Sequence, residues 1–321
     1  MNPFTCRENI PTRLGFSQGV LEAAIKNKQI VGFGSDITGS VGMDLFAKRF
    51  PDRFFSLGIA EQNAATIAAG MTLAGKIPFI ASYATFITLR AADQIRVSIC
   101  YNNFPVKIGG AHSGISVGPD GATHQALEDI AIMRCLPNMT VLSPCDSTQT
   151  KAAVLASIKI NGPVYIRYGR EAMPDFTTPE MDFMVGKAQI LRKGKHCAIV
   201  ATGAMVWEAL KAADLLDKEK INCSVINLHT IKPIDENTLV KMAKNCGAVV
   251  TAEEHQLQGG MGSAVCEVLA QYFPVPVEMV GMPNCFGESG KPNELMKKYG
   301  MTDQHIVSAV KKVLKRKNKA F

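Results

Sequence analysis

The sequence predicts an α/β protein made of two domains, each built on a parallel sheet. Its 321 residues exceed what one ordinary hydrophobic core accommodates. Short apolar runs alternate with longer helical stretches, the order that produces crossovers between parallel strands. That rhythm breaks once, at residues 173–184 (MPDFTTPEMDFM), which read as a linker.

In the first series, strands are expected at residues 30–34, 54–57, 79–81, 106–109, 140–142 and 164–166. Helices are expected between them, at 62–74, 91–101, 125–135 and 147–160. The second series places strands at 197–201, 223–227, 248–252 and 275–279. Its helices fall at 207–218, 236–245, 261–272 and 303–314. The domains therefore divide at 1–177 and 186–321, the second being the smaller.

Composition narrows the functional classes. Apolar residues make up 47% and charged residues 20%, which excludes a mainly disordered chain. The 27 Gly and 16 Pro follow no period, so the chain is not fibrous. There are 35 Lys and Arg against 28 Asp and Glu, a formal charge of +7. Six of the positive residues are Lys311, Lys312, Lys315, Arg316, Lys317 and Lys319, at an end expected to fray. A nucleic-acid surface would carry its charge on the folded body, so nucleic acid is not the expected partner.

Nine scattered cysteines without a CxxC pair argue against a disulfide framework and a structural zinc site. They read as small buried hydrophobes in a reducing compartment. The first 13 residues are polar and broken by proline, unlike a signal peptide, and no run approaches ~18 apolar residues. The expectation is a cytoplasmic protein without a membrane span.

Ligands of such sheets sit beyond the carboxyl ends of the strands. Glu61, in FFSLGIAEQNAA, lies at such a point and opens an alanine-rich helix, as a helix-start acid or as a working carboxylate. The stretch GGAHSGISVGPDGATHQALED holds His112, Asp120 and His124, in a loop with five glycines. Imidazoles bracketing a carboxylate there suit proton transfer and hydrogen bonds to hydroxyls, while their spacing is poor for a metal. Tyr83, Phe86 and Leu89, in SYATFITL, are three apart, as core residues or as a platform for an aromatic ring. Arg13, Ser40 and Arg170 stand at element ends, and arginine is the usual fork for a phosphate. The sequence has neither GxxxxGK[ST] nor a strand-linked GxGxxG. GGMG, at residues 259–262, opens a helix and suits either an anion or close packing.

Together these motifs resemble the second half of a transketolase. The family's catalytic glutamate motif is matched by IAEQN, with Glu61, and its aromatic stretch by Tyr83-x-x-Phe86-x-x-Leu89. Its H-x7-D-x3-H pattern is matched by His112, Asp120 and His124. Arg13 (PTRLGFS) and Arg170 (YGREAMP) correspond to sugar-phosphate arginines, and Asp36 and Ser40 (GSDITGS) to cofactor-side and phosphate-side residues. NLHTIKPID and AEEHQLQGGMGSA extend the resemblance into the second domain.

The resemblance implies a pyrimidine-binding domain for thiamine diphosphate, followed by a smaller transketolase C-terminal domain. Glu61 would then serve a ring nitrogen of the cofactor's aminopyrimidine, with Asp36, Tyr83, Phe86 and Leu89 around it. His112 and His124 would serve the substrate's hydroxyls and developing alkoxide. Asp120 would read a hydroxyl, and Arg13, Ser40 and Arg170 would hold a distal phosphate. The reaction implied is transfer of a two-carbon ketol unit between sugar phosphates.

One departure shapes the expected assembly. The family's GDG motif, which holds Mg²⁺ and the diphosphate, is missing, and Asn102-Asn103 lies upstream of Asp120-Gly121 rather than downstream. A separate N-terminal subunit would supply those groups, in a homodimer of heterodimers. A smaller departure is Leu89, where relatives can carry a third aromatic. The alternatives are the beta subunit of a 2-oxoacid dehydrogenase first component, or a non-catalytic regulatory relative.

Overall fold

The computed structural model describes residues 4–318; Lys319, counted above in the basic cluster, lies outside the described residues. The chain begins with β1 (Glu8–Pro11), α1 (Thr12–Lys26), β2 (Ile30–Gly34), α2 (Asp44–Arg49) and β3 (Phe54–Ser56). Next come α3 (Glu61–Leu73), β4 (Ile77–Tyr83), α4 (Ala84–Arg90) and α5 (Ala92–Gln94), which runs into a π-helical turn over Ile95–Cys100. β5 (Lys107–Ala111), α6 (Asp129–Cys135), β6 (Thr140–Leu142), α7 (Ser147–Ser157), β7 (Val164–Arg167) and β8 (Ala172–Asp175) follow.

The second series opens with β9 (Gln189–Arg192), β10 (Cys197–Ala201), α8 (Met205–Lys218), β11 (Cys223–Asn227) and β12 (Thr230–Lys232). It closes with α9 (Glu236–Cys246), β13 (Val249–Gln256), α10 (Met261–Tyr272), β14 (Val277–Met282), α11 (Pro292–Lys298) and α12 (Asp303–Lys317). No helix among the described residues is long and apolar enough to cross a membrane.

The fold is α/β, as expected, with helices between mostly parallel strands. The larger sheet has the order β12-β6-β7-β5-β4-β2-β3 and the smaller β14-β13-β10-β11-β9. Each carries one antiparallel edge strand, β12 against β6 and β9 against β11. β12 comes from the second series yet completes the first sheet, so the two units share a sheet edge. They also share a core, in which Ile108, Val141 and Tyr165 cluster with Val200, Ile226 and Val249.

Two expectations need correction. The segment read as a linker begins as a strand, because β8 pairs antiparallel with β1 and so ties the chain's start to its middle. The basic end is helical rather than frayed as far as Lys317. Lys311 pairs with Glu219, Lys312 and Arg316 pair with Glu278, and Lys317 donates to the Cys246 carbonyl. Of the nine thiols five are buried, whereas Cys6, Cys135 and Cys285 are exposed.

Local chemistry accounts for several elements. Asp146 and Asp235 cap α7 and α9, accepting from the backbone of Gln149 and Thr238 at 2.8 and 3.1 Å. α1 packs against α7 through Gly15, where a β-carbon would lie 2.0 Å from the Ser147 carbonyl oxygen. The GGMG amides already have an internal acceptor: Glu253 accepts from the Met261 and Gly262 amides at 2.7 Å. Lys107 is fully buried in β5, donating to the Ile160 and Gly162 carbonyls, and burial lowers its pKa to about 7.

A buried ion pair within the first series also ties that series to the second, through a further bond of its arginine to the Glu254 carbonyl. Arg167 Nε donates to Asp129 Oδ2 at 2.8 Å, with side chains 5% and 0% exposed. Its Nη2 donates to the Ala126 and Glu254 carbonyls, and Tyr165 donates its hydroxyl to the same Asp129 oxygen. Arg167→Met should therefore leave Asp129 charged and buried, at a cost of about 3–5 kcal/mol. The denaturant midpoint should fall accordingly; an unchanged midpoint would show that the pair holds nothing together.

Candidate active site

The larger sheet changes direction at β2, with β3 on one side and β4 on the other. Ligands of open α/β sheets bind at such a reversal, beyond the strands' carboxyl ends. The predicted residues follow successive strand ends there. Asp36 and Ser40 follow β2, Glu61 follows β3, Tyr83 ends β4, His112 follows β5 and Arg170 follows β7. Arg13 is the second residue of α1.

Glu61 begins α3 and is 2% exposed. Its Oε1 accepts from the Ser82 hydroxyl at 2.9 Å, and Arg90 Nη1 lies 3.4 and 3.3 Å from its two oxygens. Sequence reasoning misses Ser82 and Arg90, although both carry a signal. Ser82 is a polar residue inside the buried strand IPFIASY, and Arg90 lies one helical turn beyond Phe86 in α4. The Arg90 guanidinium also covers the Phe86 ring, 3.9 Å from its centroid.

Rings gather beside this carboxylate. Tyr83 and Phe86 are 5.5 Å apart, and His112 stacks on Tyr83 at 4.2 Å with the planes 16° apart. His124 meets Tyr83 and Phe86 edge-on, at 5.6 and 5.2 Å. Leu89 lies on the same helix but is exposed, outside this ring cluster. Of the three predicted platform positions, two join it.

His112 leaves the end of β5 with φ 53°, and Asp36 leaves β2 with φ 63°. Such left-handed backbone is uncommon outside glycine. The His112 ring is buried, and neither of its nitrogens has a hydrogen-bond partner. Burial first, then the positive charges of Arg170 and Arg13, lowers its pKa to about 4, with smaller opposing pulls from Asp120 and the Ser40 backbone. His112 is thus neutral at neutral pH, with one ring nitrogen a donor and the other an acceptor.

Asp120 lies 3.9 Å from His112 and accepts from Arg170 Nη1 at 2.7 Å. His124 is half-buried, its Nδ1 2.9 Å from the Thr123 hydroxyl. Ser40 is also half-buried, whereas Asp36 is exposed. The crevice thus runs from a buried carboxylate past stacked rings to a group containing His112, Asp120, Arg170 and Arg13. It can seat a flat ring against Tyr83 and Phe86 while binding a polar, anionic molecule at its far end.

Fold and crevice define a two-domain α/β chain with a buried carboxylate and a cluster of rings at its sheet reversal. Family comparison names the class: residues 8–175 match "Transketolase, pyrimidine binding domain" and residues 186–306 match "Transketolase, C-terminal domain". The chain belongs to the transketolase family.

Its relatives include a 6-deoxy-6-sulfo-D-fructose transketolase subunit, SqwH, of Clostridium sp. (strain MSTE9), 41% identical over 93% of each chain. An apulose-4-phosphate transketolase subunit of Phocaeicola vulgatus is 36% identical, over 96% of this chain and 98% of that one. A solved structure described as "Split gene transketolase, inactive beta4 tetramer" is 46% identical with a TM-score of 0.90, covering 96% and 99% of the two chains. Against the 1-deoxy-D-xylulose-5-phosphate synthase of Caldanaerobacter subterraneus the chain is 37% identical over 92% of its length, spanning 47% of that protein.

The acid response of the fold tests the His112 environment. Between about pH 6.5 and pH 4 the unfolded chain takes up a proton that folded His112 refuses, so stability falls as pH falls through this window. The loss attributable to His112 is at most about 3 kcal/mol. His229, also lowered to about 4 by burial, adds to the slope. His112→Gln should flatten the curve of unfolding free energy against pH without abolishing its slope; an identical slope would mean that His112 titrates normally.

Proposed function

We propose that this chain is the subunit of a split transketolase that carries the pyrimidine-binding domain (1–177) and the C-terminal domain (186–321). Its reaction would be transfer of a two-carbon ketol unit from a ketose phosphate, or a similarly anionic ketose, to an aldose phosphate. The observation carrying this reading is Glu61, a buried carboxylate held by Ser82 and Arg90 beside the Tyr83–Phe86 ring pair. A carboxylate and rings so placed suit a protonatable heteroaromatic ring, which is what the pyrimidine of thiamine diphosphate offers.

When bound, thiamine diphosphate supplies the electron sink for cleaving and forming the carbon–carbon bond. Glu61 would hold a proton at a pyrimidine ring nitrogen, with Ser82 and Arg90 fixing its carboxylate. Tyr83 and Phe86 would flank the ring, with Leu89 and Asp36 at its margins. His112, neutral, could both donate to and accept from substrate hydroxyls, and His124 would serve the adjoining oxygen. Asp120 would read a hydroxyl. Arg13, Ser40 and Arg170 would hold the terminal anion, so that remote binding orients the reacting end.

The diphosphate and its Mg²⁺ would be held by a partner chain, because this sequence has no GDG motif. Two relatives named as subunits support that division, and their sugars, sulfofructose and apulose 4-phosphate, support an anionic substrate. The assembly would be a cytoplasmic dimer of heterodimers.

The chain alone should bind thiamine diphosphate weakly and show no ketol transfer, both appearing when the N-terminal subunit is added. In that reconstituted enzyme Glu61→Gln should slow hydrogen–deuterium exchange at the thiazolium carbon by about 10²–10⁴, the scale of general acid–base catalysis. Full activity of the lone chain, or unchanged exchange in the variant, would defeat the reading.

Arg170→Ala tests the substrate class. Loss of a charged hydrogen bond of about 1.5–3 kcal/mol should raise KM for phosphorylated ketoses roughly 10- to 100-fold. KM for hydroxypyruvate, a short donor without a phosphate, should hardly change. Arg170→Lys should restore part of the loss, since an ammonium is a point charge rather than a fork. Equal losses for both donors would remove Arg170 from the substrate site.

A further inference from the structure

A second cavity, of about 570 Å³, lies where the two units meet. Its walls come from the β7–β8 segment and the start of the Gly-rich loop on one side, and from α8, α11 and α12 on the other. That volume falls within the roughly 300–1,000 Å³ of small-molecule sites. None of the eleven candidate residues of the ring-binding crevice lines it. Three wall residues, Thr12, Ser113 and Glu171, are nevertheless the chain neighbours of Arg13, His112 and Arg170. Thr12 ties two of these strands of chain together, its Oγ1 accepting from the Gly169 amide at 2.7 Å. One wall therefore separates the two spaces.

The lining includes the apolar side chains of Trp207, Met173 and Met296 together with several charged groups. Flexible methionines beside an indole adapt to flat apolar groups of varied outline. Most of the charges are already answered. Arg167 is paired with Asp129, Lys211 lies 2.7 Å from Glu208 and 3.6 Å from Asp303, and Glu171 faces Arg170. Glu254 is 4% exposed and accepts from the Ser116 amide at 2.5 Å. The remaining ammonium, Lys297 on α11, has no ion pair among the described residues.

We propose that this cavity is a second ligand site, for a small amphipathic acid with a planar apolar ring against Trp207, Met173 and Met296 and its acidic group toward Lys297. Its occupancy would stiffen the wall shared with the crevice. The assignment does not depend on the reaction proposed above.

Trp207 is the chain's single tryptophan, so its emission reports this cavity directly. Titrating the full chain with 8-anilinonaphthalene-1-sulfonate should quench Trp207 in one saturable phase. Ala204→Phe, which places a ring in the cavity from the start of α8, should weaken that phase at least about tenfold. The exposed Lys297→Ala should weaken binding about three- to tenfold, while leaving the neutral analogue N-phenyl-1-naphthylamine unaffected. Amide exchange at residues 113–116 and 169–174 should slow when the probe is bound. Quenching that ignores both substitutions would place the probe on another surface and overturn the proposal. So would the absence of a saturable phase, or unchanged exchange in those two segments.

Discussion

Arg167 must bury a charge, and it does so with Asp129 directly against it. Burial works against the guanidinium, but the charge and hydrogen bond of Asp129, with smaller help from Glu254 and Tyr165, leave the pKa above its ordinary value. The consequences spread outward from that pair. Tyr165 reaches across to the same carboxylate, and a β-carbon at residue 110 would lie 2.1 Å from its hydroxyl, so β5 carries glycine there. The second guanidinium nitrogen fixes Ala126, at the end of the Gly-rich loop, and Glu254, in the second sheet. His112, Asp120 and His124 thus sit on a loop clamped at its far end by a bond that also unites the domains.

The crevice is electrically graded. At one end a carboxylate is held by a hydroxyl and a guanidinium; at the other two arginines share the neighbourhood of one aspartate and one histidine. The histidine cannot compete for a proton there, so it remains neutral, with one ring nitrogen a donor and the other an acceptor. Asp120 gives Arg170 a counter-charge in the protein itself, and an incoming anion would meet an arginine already oriented. This is a polarity gradient suited to a ring cofactor at one end and an anionic sugar at the other.

Much of the fold was legible because alternation of apolar runs is a local property. The strands at 140–142, 197–201 and 223–227 and the helix at 261–272 appear where the pattern places them. What escaped is non-local. The β12 strand is three residues long, and only the open edge of β6 makes it a strand. β8 lies in a proline-containing stretch, yet it sits at the edge of a two-stranded sheet where proline is tolerated. A terminal helix was expected at 303–314, but its basic end was expected to fray, because Glu219 and Glu278, its partners, are far away along the chain.

Residue types at strand ends drew attention to Glu61, the His112–Asp120–His124 loop and the arginines, but the roles of Glu61 and the arginines came from the resemblance to transketolases. The sequence by itself determined the alternation that builds two sheets, the identity of those groups and their order past successive strands. Tertiary structure alone decided that Ser82 and Arg90 hold Glu61, that His112 stacks on Tyr83, and that burial with two nearby arginines keeps that histidine neutral. It also decided that Leu89 stays outside the ring cluster. The physical reason is range: propensity and periodicity act over a few residues, whereas burial, ion pairing and stacking join side chains tens of residues apart.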